Sequence, residues 1–271
     1  MCDATRKVLM TTTGWPVRAL AGPTLLCALL GATGCVDSAA SGASGQLGGQ
    51  EVRAVPRTVV AVIDFSGSLT SHAVAEARGY LEKVVKDLGY GDRLVLLEMY
   101  RTGSQDSVGR FVRDMPEPVR AGAVTSYDRR ELEAARRGVL NVLPIFFDPE
   151  LVRTVPTTDL FTTMHIAAEH LRDAGDGRKE LVVLSDMLQS TRHFEFEGAR
   201  RMPAEGWVAS QAQSNLLPSL EGACVVVIGA DPTTPDGQRV RRFWAEYFRA
   251  TGARLDAGDY RVRAPTDVLR C

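Results

Sequence analysis

Three short stretches of uninterrupted apolar, mostly β-branched residues constrain this chain more than any other feature. They are Thr58-Val-Val-Ala-Val-Ile63, Leu181-Val-Val-Leu184 and Cys224-Val-Val-Val-Ile228, followed closely by Asp64, Asp186 and Asp231. A strand with one solvated face alternates apolar and polar residues. A run that is apolar at every position needs cover on both faces, the condition of a central strand in a parallel sheet beneath helices. Arg93-Leu-Val-Leu-Leu97 fits a neighbouring strand.

Helical patterns lie between these runs. Val74, Ala77, Leu81, Val84, Val85 and Leu88 recur at helical spacing after Ser71, and Gly89 is a natural stop. Leu160, Met164, Ala167, Ala168 and Leu171 form a second apolar face, and Val240, Phe243, Trp244, Tyr247 and Phe248 a third. Asp128 to Leu143 reads as a charged helix whose Arg129/Glu133/Arg137 ladder makes i,i+4 pairs on a solvated face. Strands alternating with helices imply βαβ units. The expected fold is therefore α/β, a doubly wound, mostly parallel central sheet flanked by helices, over residues 56–271.

The first 55 residues differ in kind. Arg6, Lys7 and Arg18 precede the apolar run Ala19–Ala32, which closes on Ala32-Thr33-Gly34-Cys35. That run is shorter than the roughly 20 residues a membrane-spanning helix needs, and Gly22-Pro23 interrupts it. A basic start, a short apolar core and a small-residue exit read as an export signal, with Met1 or Met10 as its start. The Ala-Thr-Gly-Cys ending resembles a bacterial lipobox, although Ala32 stands where Leu is favoured. The resemblance implies diacylation of Cys35 and a lipoprotein anchored in the bacterial cell envelope, facing the periplasm or exterior; plain secretion after cleavage near Gly34 is the alternative. Residues 36–55, rich in Ser, Gly and Ala, bury too little to offset ordering entropy and read as a flexible tether reaching roughly 25 Å.

A net charge of -1 gives no basic footprint for nucleic acid. Of the five cysteines, Cys2 and Cys27 leave with the signal and Cys35 takes the lipid. Cys224, within an apolar run, reads as a buried hydrophobe, while a Cys224–Cys271 disulfide is also permitted in an oxidising compartment.

In an open parallel sheet, ligands bind beyond the carboxyl ends of the strands, where the strand order reverses. Several Asp residues at that rim repel one another unless a cation sits among them. In Asp64-Phe65-Ser66-Gly67-Ser68, residues i, i+2 and i+4 can converge on one point, with Gly67 letting the backbone fold tightly. One carboxylate and two hydroxyls suit a hard ion such as Mg²⁺.

Asp64-x-Ser66-x-Ser68 after an apolar strand resembles the metal-ion-dependent adhesion site of von Willebrand factor type A domains. Thr157-Thr158-Asp159-Leu160-Phe161 resembles that family's Thr element, with Thr158 aligning best and Thr157 as the alternative; Leu184-Ser185-Asp186 resembles its closing Asp element. The resemblance covers roughly residues 57–260. Met187 stands where the family commonly has Gly, Val155-Pro156 replaces a Gly pair, and residues 102–156 are long for this part of the fold. The resemblance implies Mg²⁺, or Mn²⁺ or Ca²⁺, held by Asp64, Ser66, Ser68, Thr158 and Asp186. It further implies a protein partner whose Asp or Glu completes the coordination, in a binding module rather than an enzyme.

Two other readings compete. A strand-end Asp is also the nucleophile of haloacid-dehalogenase-like phosphatases, but Ser66 stands where those enzymes place a second Asp. A structural envelope module with a vestigial metal loop is the other. No Gly-x-Ser-x-Gly elbow or Walker loop occurs, and His165 and His170 are five apart rather than four. His72 reads as a surface residue at a helix start. His193, with Phe194 and Phe196, belongs either to a local hairpin packed on the domain or to a partner contact. Asp231 is either an acceptor behind the metal ligands or a turn residue before Pro232.

Overall fold

The computed structural model describes residues 55–64, 71–99, 108–120, 123–148 and 158–268, all within the unit Gly48–Cys271. The expected export signal, Cys35 and nearly all of the tether lie outside these residues, as do Ser66, Ser68, Thr157 and Cys271.

The apolar runs become strands at the centre of one sheet. The strands are β1 (Arg57–Ile63), β2 (Arg93–Met99), β3 (Val108–Asp114), β4 (Arg178–Leu184), β5 (Ala223–Ile228) and β6 (Arg254–Arg261). Their order is β3-β2-β1-β4-β5-β6, parallel throughout except that β3 runs antiparallel to β2. The doubly wound α/β fold expected from the sequence is the one observed. From β1 the chain builds outward to β2 and β3, then returns to lay β4 on the other side of β1. The winding reverses between β1 and β4, so the crevice of the fold opens above their carboxyl ends.

Side chains alternate across the sheet and feed two cores. Val59, Ala61 and Ile63 of β1 face α1 (Ser71–Asp87) and α2 (Ser126–Val142), meeting Leu81, Val84, Leu132 and Val139. A 3₁₀ turn, Leu143–Phe147, adds Leu143 and Phe147 to that core. Val60 and Val62 face the other way, toward α3 (Leu160–Arg172) and α5 (Pro235–Ala250), meeting Met164, Ala167, Trp244 and Phe248. A short helix, α4 (Trp207–Gln213), contributes the buried Val208 to the same side. Each fully buried Val, Leu or Ile contributes roughly 1.5–3 kcal/mol of transfer free energy. This is why runs with no polar position can exist only here.

Helix ends follow local chemistry. Thr125 and Asp128 form a reciprocal capping box at the start of α2, and Asp159 and Thr234 cap α3 and α5. Gly237, in the first turn of α5, cannot carry a side chain, because a Cβ there would lie 1.9 Å from the Asp231 carbonyl oxygen. The amino ends of the strands are tied by Arg57, whose guanidinium reaches Asp92 (3.1 Å), Glu180 (3.1 Å) and Asp87 (2.8 Å).

The segment between β4 and β5 carries Phe194 and Phe196 into the aromatic core. Phe196 meets Phe243 edge-on at 5.1 Å, and Phe194 meets Phe161 at 5.6 Å. Isolated bridges join Ser190 to Glu195 and Glu195 to Arg201, so this stretch is a local hairpin-like turn packed on the domain. Cys224 is buried as expected, 5% exposed, and it is disulfide-bonded, which the sequence had left open; its partner lies outside the described residues. Among the described residues no helix is long and apolar enough to cross a membrane.

Candidate metal centre

Asp64 follows the last residue of β1, and Asp186 lies two residues beyond β4. Because Ile63 pairs with Leu184 in parallel register, the two segments leave the sheet side by side at the reversal in strand order. Asp64 is 1% exposed; its amide donates to the Leu184 carbonyl (2.9 Å). One of its carboxylate oxygens accepts from the Ser185 hydroxyl at 2.7 Å. The same hydroxyl accepts from the Met187 amide at 2.9 Å. One buried serine therefore fixes both the Asp64 carboxylate and the turn that carries Asp186.

That turn requires an unusual backbone. Met187 has φ 65°, in the left-handed region that L-residues rarely occupy. This is the physical reason a glycine suits the position following such an Asp. Met187 holds the conformation because its side chain is fully buried and its carbonyl accepts from Trp244 Nε1 at 2.9 Å. The half-buried Asp186 accepts from the Leu188 amide (2.9 Å). Burial pushes the nearby Tyr260 hydroxyl far above its ordinary pKa, and the Asp186 carboxylate adds to that shift, so the phenol stays protonated.

Thr158 reaches the same end of the sheet by a different route. It is 1% exposed and exchanges two backbone hydrogen bonds with Ser190, 3.0 and 2.9 Å, four residues beyond Asp186. Its neighbour Asp159 caps α3 by accepting from the Thr162 amide (3.2 Å) and hydroxyl (2.7 Å). The Thr loop and the Asp186 loop are thus fastened to each other. Asp231 turns inward to its own loop, accepting from the Thr233 amide and hydroxyl at 2.8 and 2.6 Å; those bonds hold its carboxyl below the usual range. It behaves as the turn residue of the two sequence readings.

A cavity of about 450 Å³ opens beside Asp186, lined by Leu188, Phe196, Asp231, Val240 and Tyr260 among others. Among the described residues no three His, Cys, Asp or Glu side chains form a group that could hold a metal ion, so a cation at Asp64 and Asp186 would draw its other ligands from hydroxyls or water. The donors present fit a hard divalent ion. Two carboxylates at adjacent strand ends and the Thr158 hydroxyl are all oxygen, with no thiolate or imidazole among them. His72 is largely exposed and pairs with Glu76 on its own helix, as expected of a surface residue. The sequence carried no signal for the role of Gln189 or for the Trp244–Met187 contact, since neither residue type announces a tie between distant loops.

No protein-family model matches the chain, and no curated protein matches it. Solved structures similar to it include the pilus adhesin SpaC from Lactobacillus rhamnosus GG (13% identity, TM-score 0.43). The match covers 74% of this chain and 28% of the adhesin, so the chain spans less than a third of that relative's length. The conserved hypothetical protein BatB from Bacteroides thetaiotaomicron is 13% identical with a TM-score of 0.40, covering 78% of this chain and 91% of that one. A von Willebrand factor type A protein from Catenulispora acidiphila is 12% identical with a TM-score of 0.38, covering 78% and 39%.

Proposed function

We propose that this protein is an envelope-anchored, non-enzymatic binding module that docks an acidic side chain of a partner protein through a divalent metal. The observation that supports this most directly is the parallel register of β1 and β4, from which the segments bearing Asp64 and Asp186 leave the sheet side by side where the strand order reverses, with Thr158 bridged to Ser190 of the second segment. Asp64, Ser66, Ser68, Thr158 and Asp186 would hold Mg²⁺, or Mn²⁺ or Ca²⁺ in its place. Only two of those ligands bring negative charge. The bound metal would supply Lewis acidity and a coordination position for an incoming Asp or Glu carboxylate.

The chain's own residues do the rest. The Ser185 hydroxyl orients Asp64, the left-handed turn at Met187 aims Asp186, and the two-bond bridge to Ser190 sets Thr158. Acylation of Cys35 would hold the module at the membrane, and the tether over 36–55 would lift it clear of the headgroups.

The experiment is affinity capture from envelope extract in Mg²⁺ and in EDTA, with Asp64→Ala as the control. Capture of a protein in Mg²⁺ that is lost in EDTA, and lost in a folded Asp64→Ala variant, is the expected result. Equal capture under all three conditions would sink the proposal.

A further inference from the structure

Thr158 and Asp186 lie 28 positions apart in sequence, and backbone pairing at Ser190 alone does not fix where α3 begins. Gln189 supplies the missing tie. It is 1% exposed, and its own carbonyl accepts from the Phe196 amide at 2.9 Å, which pins the residue from behind. Its side-chain oxygen accepts from the Leu160 amide, the first of α3, at 2.7 Å. Its side-chain nitrogen donates to the Asp159 carboxylate at 3.1 Å. That carboxylate oxygen also accepts from the Thr162 amide that Asp159 caps.

Both bonds of one buried amide therefore end on the two residues that follow Thr158. An amide does both with its two ends, accepting from the backbone N–H through oxygen and donating to the carboxylate through nitrogen. An apolar side chain would leave the buried Leu160 amide without this acceptor and remove a donor from Asp159, and a carboxylate would face Asp159 without a proton to share.

We infer that Gln189 is a positioning residue that sets Thr158 against Asp186 and so tunes the affinity of the metal site; this rests on the metal reading proposed above. A group that only supports the fold would change stability and leave ion affinity among folded molecules untouched. A positioning group changes the affinity itself, by about tenfold or more for residues that orient metal ligands.

The test is Mn²⁺ titration of the full chain, followed by electron paramagnetic resonance of the free ion, at a temperature where circular dichroism shows each variant folded. Gln189→Glu should weaken Mn²⁺ binding by about tenfold. Val208→Ala, a core variant on the short helix α4, serves as the control for general destabilisation and should bind as the wild type does.

A Gln189→Glu variant that binds Mn²⁺ as tightly as the wild type overturns this inference alone. A wild type that takes up no Mn²⁺ overturns the metal reading and this inference with it. Should Gln189→Glu fail to fold, Gln189→Asn retains the amide but shortens its reach, and the same weakening is expected from it.

Discussion

At the scale of single residues, Met187 and Arg57 show how the two ends of the sheet are held. Left-handed backbone at a residue with a Cβ costs roughly 1–2 kcal/mol, yet Met187 is buried completely and its packing offsets that cost. Met187→Ala keeps the strain and loses the packing, for an expected loss of about 2–5 kcal/mol in urea denaturation. Met187→Gly also loses the packing but relieves the strain, so it should be at least as stable as Met187→Ala, against the usual preference for Ala over Gly. An Ala variant clearly more stable than the Gly variant would show that the turn is not strained as described.

Arg57 presents the opposite case. Burial alone would lower its pKa, and the carboxylates of Glu180, Asp92 and Asp87 more than offset this, holding it above its ordinary value. Arg57→Met removes the cation those three buried or half-buried carboxylates share, and should cost about 3–5 kcal/mol by the same measurement. Arg57→Lys should recover only part of this, because one ammonium cannot replace a fork that reaches three partners.

At the scale of elements, the start of α2 is a local device that can be tested by itself. Asp128 accepts from the Thr125 hydroxyl at 2.6 Å and from the Val119 and Thr125 amides at 3.0 and 2.7 Å, which holds its carboxyl below the usual range. A carboxylate whose folded pKa is depressed stabilises the fold fully above its unfolded pKa of about 4, and the benefit is lost as pH falls through the folded pKa. The stability gap between wild type and Asp128→Asn should therefore narrow with acidification below about pH 4. Thr125→Ala should cost about 0.5–2 kcal/mol. α5 acts over a longer range. Its Trp244 donates to the Met187 carbonyl, so the helix on one face of the sheet braces the turn that presents Asp186.

At the scale of the molecule, the proposed metal joins loops that leave different strands and should stabilise the whole domain. A ligand at 100 times its Kd adds about 2.7 kcal/mol to a folded state that alone binds it. For a domain of this size that corresponds to a rise in Tm of about 5–10 °C. The rise is expected for wild type in Mg²⁺ or Mn²⁺ and absent for Asp64→Ala. Equal melting with and without metal would argue for a fold that keeps the loop and not the ion.

The sequence by itself determined the centre of this protein. The strands β1, β4 and β5 were legible because a residue covered on both faces must be apolar whatever its neighbours are. The helix Ser71–Asp87 was legible because its buried positions recur every three or four residues. Asp64 and Asp186 stood out because a charge ending an apolar run calls for a reason. Tertiary structure alone decided the edges and the joins. β3, Val-Gly-Arg-Phe-Val-Arg-Asp, and β6, Arg-Leu-Asp-Ala-Gly-Asp-Tyr-Arg, carry mixed residues because an edge strand keeps one side in water, and only their pairing makes them strands. The tie from Gln189 to α3 and the brace from Trp244 to Met187 are equally silent in one dimension, since a hydrogen bond depends on where two atoms meet and not on how far apart their residues stand in the chain.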